Sequence, residues 1–136
     1  MKTDCLFCQI IDGMVPAKIV YQDEKVIAFL DINPNNPGHT LVIPRRHHQD
    51  FFTLSKNELA DLFAGVQTVA GVIKKALAAE GINLGMNNGP AAGQVIFHAH
   101  IHIIPRFKDD GLIHWQPKKI SEKEMTVIQD KIRRAV

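Results

Sequence analysis

The 136-residue sequence predicts one α+β domain: a largely antiparallel sheet with one long helix, a short N-terminal helix and a C-terminal helix. Two observations carry this. Short apolar runs of strand length, bounded by Gly, Pro, Asn or Asp clusters, flank the middle of the chain. Between them, one long stretch has its apolar residues at helical spacing. The domain is expected to fill residues 1–136, with 117–136 as a C-terminal helical extension.

Asp4 is placed to cap a short helix running through Asp12, and Gly13 to stop it. Val20 to Asp23 and Lys25 to Ile32 read as strands joined by a tight polar turn. Asn33-Pro34-Asn35-Asn36-Pro37-Gly38 is a loop, after which His39 to Pro44 resumes as a strand with Leu41 and Ile43 on one face. Ser55-Lys56-Asn57-Glu58 is a capping box. The helix it opens carries Leu59, Leu62, Phe63, Val66, Val69, Ala70, Ile73 and Leu77 on one side, and Gly81 is expected to end it. Ile82 to Met86 forms a further strand, and Asn87-Asn88-Gly89-Pro90 turns the chain toward Gly93. A histidine-rich strand follows. Ser121-Glu122-Lys123-Glu124 repeats the capping box and starts a C-terminal helix with Met125, Ile128 and Ile132.

The histidine strand reads His98-Ala99-His100-Ile101-His102. Alternate side chains on a strand share a face at a spacing of roughly 6.6 Å. One face is therefore a row of imidazoles, while Ala99, Ile101 and Ile103 point into a core. A buried row of this kind needs several partners at once, which argues against a purely structural role. Neighbouring imidazoles can hold different protonation states near neutrality, so one can attack while another donates. The rival is an open three-histidine zinc site, but the outer pair on one straight strand would lie roughly 13 Å apart.

Net charge is +2, so bulk charge implies no nucleic-acid or membrane partner. No segment is apolar enough to span a bilayer, and Met1-Lys2-Thr3-Asp4-Cys5 lacks the apolar stretch of a secretory signal, so cytoplasmic residence is expected. Arg45-Arg46-His47-His48 is a local basic cluster with the look of a solvated turn. The two cysteines form Cys5-Leu6-Phe7-Cys8, a redox pair or half of a zinc site. No strand precedes this segment, which weakens the redox reading. Histidines elsewhere could complete Cys2His2 ligation.

His98-Ala99-His100-Ile101-His102-Ile103-Ile104 resembles the signature of the histidine triad (HIT) family, in which three histidines alternate with apolar residues. Phe29-Leu30-Asp31-Ile32, Gly38-His39-Thr40-Leu41-Val42-Ile43-Pro44 and Asn87 through Gln94 fall in the family's order and spacing. The likeness covers roughly residues 4 to 107.

The resemblance implies a HIT-like fold and a nucleotide hydrolase or transferase acting at the α-phosphate. It implies that His100 is the nucleophile and forms a nucleotidyl-histidine intermediate, with no metal in that step. His39 would help orient the nucleophile, and His102 would lie by the leaving group. Asp31 would bind the ribose hydroxyls, and Leu6, Phe7, Ile10 and Ile32 would line the base slot. Gly93, Gln94 and Val95 would contact phosphate, partly through backbone N–H groups, with Asn87 nearby. Relatives often carry Ser or Thr where this chain has Val95, so a hydroxyl contact is missing here. His102 is Gln in the transferases, which favours hydrolysis.

Cys5 and Cys8 resemble those of Hint-like bacterial members, in which the other ligands of a structural zinc fall on His47 and His98. The expected activity is hydrolysis of purine nucleoside phosphoramidates by a homodimer. The alternatives are a dinucleoside polyphosphate (Ap3A or Ap4A) hydrolase and a nucleotide-binding regulatory protein with incidental activity. In the family, the long helix and a strand pair across the two-fold axis.

Overall fold

A computed structural model describes residues 4–136. Five strands, β1 (Ile19–Gln22), β2 (Val26–Leu30), β3 (Thr40–Pro44), β4 (Gly81–Gly85) and β5 (Ile101–Arg106), form one sheet in the order β1-β2-β3-β5-β4. Every pairing is antiparallel. Three α-helices, α1 (Leu6–Ile11), α2 (Lys56–Ala76) and α3 (Glu122–Ala135), complete the α+β fold.

Alternation along β2 and β3 sends side chains to two cores. Val26, Ala28 and Val42 join Ala99, Ile101 and Ile103 against Leu62, Val66, Val69 and Ile73 of α2. Ile27, Phe29, Leu41 and Ile43 pack on the other face with Phe7, Cys8 and Ile10 of α1. Each fully buried side chain of this size contributes about 1.5–3 kcal/mol of transfer free energy. Burial on both faces explains why β2 and β3 read as continuous apolar runs. The helix α2 approaches the sheet through Gly65, where an added Cβ would sit 2.6 Å from Cγ2 of Val26. Phe63 and Leu77, expected on the core side, are instead exposed.

Several element ends differ from expectation. The N-cap of α1 is Cys5, with no side-chain cap bond, so Asp4 does not cap it. Gly13, at φ +74°, does follow the helix end. The strand β2 is shorter than Lys25 to Ile32: it ends at Leu30, and it starts at Val26, where Asp23 Oδ1 accepts from Lys25 N–H and Val26 N–H at 2.7 and 2.8 Å and closes the preceding turn. Both capping boxes are formed, at Ser55 and at Ser121. Met125, Ile128 and Ile132 of α3 remain exposed on this chain.

Gly81 does not end α2; it begins β4. The stop is Ala78 at φ +52°, with Ala79 N–H donating to Lys74 O at 3.0 Å and Ala78 N–H to Lys75 O at 3.4 Å. That is a Schellman motif built on alanine where glycine is the usual residue. Left-handed backbone costs an L-residue roughly 1–2 kcal/mol, of which glycine's extra chain entropy takes back up to about 1 kcal/mol. Ala78→Gly is therefore expected to stabilise the fold by about 0.5 kcal/mol. A denaturant midpoint that rises at unchanged slope would show it, and a falling midpoint would refute it.

Candidate active site

The β3–β5 pairing builds the site. It sets Leu41 opposite His102, so the chain entering β3 at His39 meets the histidine segment 63 residues later. The expected strand of three histidines is shorter than its sequence pattern, because β5 begins only at Ile101. His98 and His100 precede it, held by Ala99 N–H donating to His48 O at 2.7 Å. Ala99, Ile101 and Ile103 do face the core.

His100 is buried, and its Nδ1 lies 2.7 Å from the carbonyl oxygen of His98. A carbonyl can only accept, so Nδ1 carries the proton and Nε2 keeps its lone pair. Burial pushes the imidazole below its ordinary pKa, which favours this neutral form. The Phe7 ring meets His100 edge-on at a centroid distance of 5.2 Å, and the His102 ring lies at 5.0 Å. Burial also lowers His102, to about 4.

His100 and His102 open into a cavity of about 420 Å³. Leu6, Phe7 and Ile10 of α1 line it together with Phe29, Asp31 and Ile32 and with Asn87, Gly93 and Val95. Asp31 turns its Oδ2 toward His39 Nε2 at 3.5 Å, while Oδ1 accepts from Asn33 N–H at 2.8 Å.

Behind the cavity, Cys5, Cys8, His47 and His98 bring their ligand atoms within 4.8 Å of one another. The Cys5 Sγ–His98 Nδ1 and Cys8 Sγ–His98 Nδ1 separations are both 3.6 Å, and Cys8 Sγ–His47 Nδ1 is 3.3 Å. A tetrahedral metal with Zn–S of about 2.3 Å and Zn–N of about 2.05 Å needs S···N separations of about 3.6 Å. His98 Nε2 lies 2.8 Å from Pro44 O, so it donates there and leaves Nδ1 for the metal. Donor type, spacing and outer hydrogen bond all suit a closed zinc site.

The model of the HIT domain matches residues 12–109. This chain is a member of the HIT family. An HIT-like protein of Methanocaldococcus jannaschii is 51% identical over 107 residues, covering 79% of this chain and 82% of that one. Adenylylsulfatase HINT3 of Arabidopsis thaliana is 42% identical over 112 residues, covering 82% of this chain and 57% of that one. A solved Streptococcus mutans structure superposes with a TM-score of 0.91 at 38% identity, covering 99% of this chain and 87% of that one. A zinc-bound histidine triad protein of Mycobacterium smegmatis gives 0.78 at 34% identity, covering 98% of both chains. The HIT family thus includes a nucleotide-acting hydrolase and a zinc-bound member.

Three expectations change within this HIT site. His39 lies against His102, with Nε2 at 2.9 Å from His102 Nδ1, while the group that fixes His100 is the main-chain oxygen of His98. Gln94 does not line the cavity; its buried amide braces the loop, accepting from Gly89 N–H at 2.9 Å and donating to Gln49 O at 2.8 Å. The N–H groups of Gly93 and Gln94 are already bonded to Pro90 O and Gly89 O, at 3.0 and 3.1 Å, so neither is presented to a phosphate. Gly93 remains essential to the loop's shape at φ +90°. The cavity also uses Val15, Pro16, Ala17, Phe29, Leu41 and Ile96, which the sequence reading missed. Phe29 and Leu41 lie in the two blocks that carry Asp31 and His39, and that nearness was an available signal.

Proposed function

We propose that this chain hydrolyses purine nucleoside phosphoramidates, conjugates of AMP or GMP with an amine, through a nucleotidyl-histidine intermediate on His100. The observation that carries this is the pinned Nδ1–H of His100, which leaves the Nε2 lone pair on a ring that lines the cavity. That lone pair attacks the α-phosphorus, the P–N bond of the substrate breaks, and the amine departs with a proton. Water then attacks the phosphorus and the bond to His100 breaks, returning the neutral imidazole and releasing the nucleotide. The apolar wall of Leu6, Phe7 and Ile10 suits a purine ring, with Ile32 at the rim, and Asp31 offers acceptors to the ribose. Asn87 and Val95 flank the space for the phosphate, and His102 the leaving group.

Zinc in this reading is structural, held by Cys5, Cys8, His47 and His98. The chain acts as a cytoplasmic homodimer, and the 117–136 extension belongs to the same single domain. Dimerisation through α2 and β4 is supported by a groove in which Phe63 and Leu84 are exposed beside Ile82, on an edge strand. Among the described residues no helix is long and apolar enough to cross a membrane.

The relative named an adenylylsulfatase supports a second substrate, adenylylsulfate, attacked at the same phosphorus. Turnover of adenosine phosphoramidate, adenylylsulfate, and diadenosine tri- and tetraphosphate by the pure protein separates the readings. Adenosine phosphoramidate is expected to have the highest kcat/KM. Polyphosphate cleavage faster by about 100-fold or more would overturn the assignment, as would AMP binding with no turnover of any conjugate.

A further inference from the structure

The chain between β2 and β3 carries Asp31 at its start and His39 at its end, and Asp31, Ile32 and Asn33 line the cavity. Of residues 32 to 37 only Asn36 is buried, and Ile32 is 88% exposed. Several of the loop's bonds join it to itself. Asn33 N–H donates to Asp31 Oδ1 at 2.8 Å, Asn35 N–H to His39 Nδ1 at 3.0 Å, and His39 N–H to Asn36 O at 3.0 Å. Bonds of this kind move with the loop and do not fix it to the sheet.

The side chain of Asn36 makes a tie to the rest of the fold. Its Nδ2 donates to Pro105 O and to Asp110 Oδ2, both at 2.9 Å. A side-chain amide has two N–H groups, and both are used. Two residues on, Gly38 at φ +90° runs so close to the end of the sheet that a Cβ there would strike Leu77 Cδ1.

Asp110 is itself held fast. Arg106 grips it through Nε at 2.8 Å and Nη2 at 3.0 Å, and Phe107 N–H and Leu112 N–H each donate to it at 3.0 Å. Arg106 is anchored in turn, with Nη1 on Asn83 Oδ1 of β4 at 2.6 Å and Nη2 on Leu112 O at 3.0 Å. The guanidinium and the N–H donors hold the Asp110 carboxyl well below the usual carboxylate range, so it stays an anion. A solvated ion pair four residues apart would contribute little. Asp110, with its side chain 8% exposed, instead serves as a rigid post for Asn36.

None of Asn36, Arg106 and Asp110 lines the cavity. We infer that Asn36, tied to the Arg106–Asp110 pair, is a positioning residue that acts through the loop to hold the Asp31 carboxylate at the cavity. Asp31 Oδ1 is aimed by Asn33 N–H, so a loop released at Asn36 carries that carboxylate off its line. Misplacement by about 1 Å is enough to lose a productive contact. Reading the effect through ribose rests on the role proposed for Asp31; the tie itself does not.

The test uses the full chain and two measurements. Residue-by-residue hydrogen exchange reads the loop without nucleotide. In Asn36→Ala the Asp31 and His39 amides should exchange at least about tenfold faster, while Ile27 and Phe29 in β2 keep their wild-type protection. Titration with AMP and with 2′,3′-dideoxy-AMP reads the carboxylate. The wild type should prefer AMP by at least about tenfold, and Asp31→Ala should abolish that preference. Asn36→Ala should bind dideoxy-AMP within about twofold of the wild type, yet prefer AMP by less than about threefold. Asp110→Asn weakens the tie from its other end and should give the same pattern at smaller size, which decides the matter where Asn36→Ala does not fold. Unchanged exchange at Asp31, an equal rise throughout β2, or equal weakening of both nucleotides makes Asn36 a plain structural residue and overturns the inference. A wild type that binds both nucleotides alike, with exchange at Asp31 altered as expected, sinks the ribose role in the proposed function and leaves the tie standing.

Discussion

His100→Ala is expected to bind AMP nearly as well as the wild type and to turn over nucleotidyl conjugates at least about 10³-fold more slowly. The cavity walls are built by other residues, so removing one imidazole leaves the base and ribose contacts in place. What disappears is the cavity-lining lone pair that the main chain holds ready, through the 2.7 Å bond to His98 O. Calorimetric titration with AMP and single-turnover kinetics read the two quantities separately. Acid quenching of a wild-type reaction should trap label on the protein, and the variant should trap none. Turnover near the wild-type rate in the variant would refute the covalent mechanism outright. A large loss of AMP affinity would show that the Phe7–His100 ring contact shapes the base slot as well.

The Cys5→Ser/Cys8→Ser double variant is expected to lose a metal content of about one zinc per chain, with a clear drop in melting temperature. Structural zinc contributes roughly 10–16 kcal/mol of apparent binding energy in small peptides. Here a two-sided core supports the sheet independently, so the damage should fall mainly on α1. That helix carries Leu6, Phe7 and Ile10, and nucleotide affinity should weaken more than the rate of the bound complex. Chelation of the wild type should reproduce both effects. Elemental analysis, thermal melts and AMP titration check them together. Zinc retained by the double variant and lost by His39→Ala would move the metal to Asp31, His39 and His102.

The sheet, the long helix and both capping boxes were legible because local pattern and final burial agree. Ser55-Lys56-Asn57-Glu58 forms its reciprocal bonds wherever the helix packs. Of the candidate metal ligands, Cys5 and Cys8 were legible from their spacing, whereas His47 and His98, two histidines among seven, came only from the resemblance to Hint-like members. Positions fixed by the main chain were not legible. Ala78 gives no turn signal, yet it adopts the left-handed conformation that Gly81 seemed to advertise. His39 resembles an orienter of the nucleophile in sequence, but the register that pairs Leu41 with His102 puts its ring on the neighbouring histidine. The resemblance implies that Gln94 is a phosphate ligand. Its amide is consumed by Gly89, Gln49 and Ile96 within a loop whose bonding no local pattern specifies.

His98 turns its ring toward the two sulfurs and its carbonyl oxygen toward His100. The two halves of one residue are therefore open to mutation in very different ways. A side chain is replaced by a single codon change, whereas a carbonyl oxygen is present whatever residue occupies the position. A descendant could discard the cysteines and the imidazoles at 47 and 98 one substitution at a time. It would still inherit the acceptor that points the nucleophile, provided the path of the chain is kept. The candidate ligand set is in this sense open to substitution, and the aim of His100 is part of the skeleton.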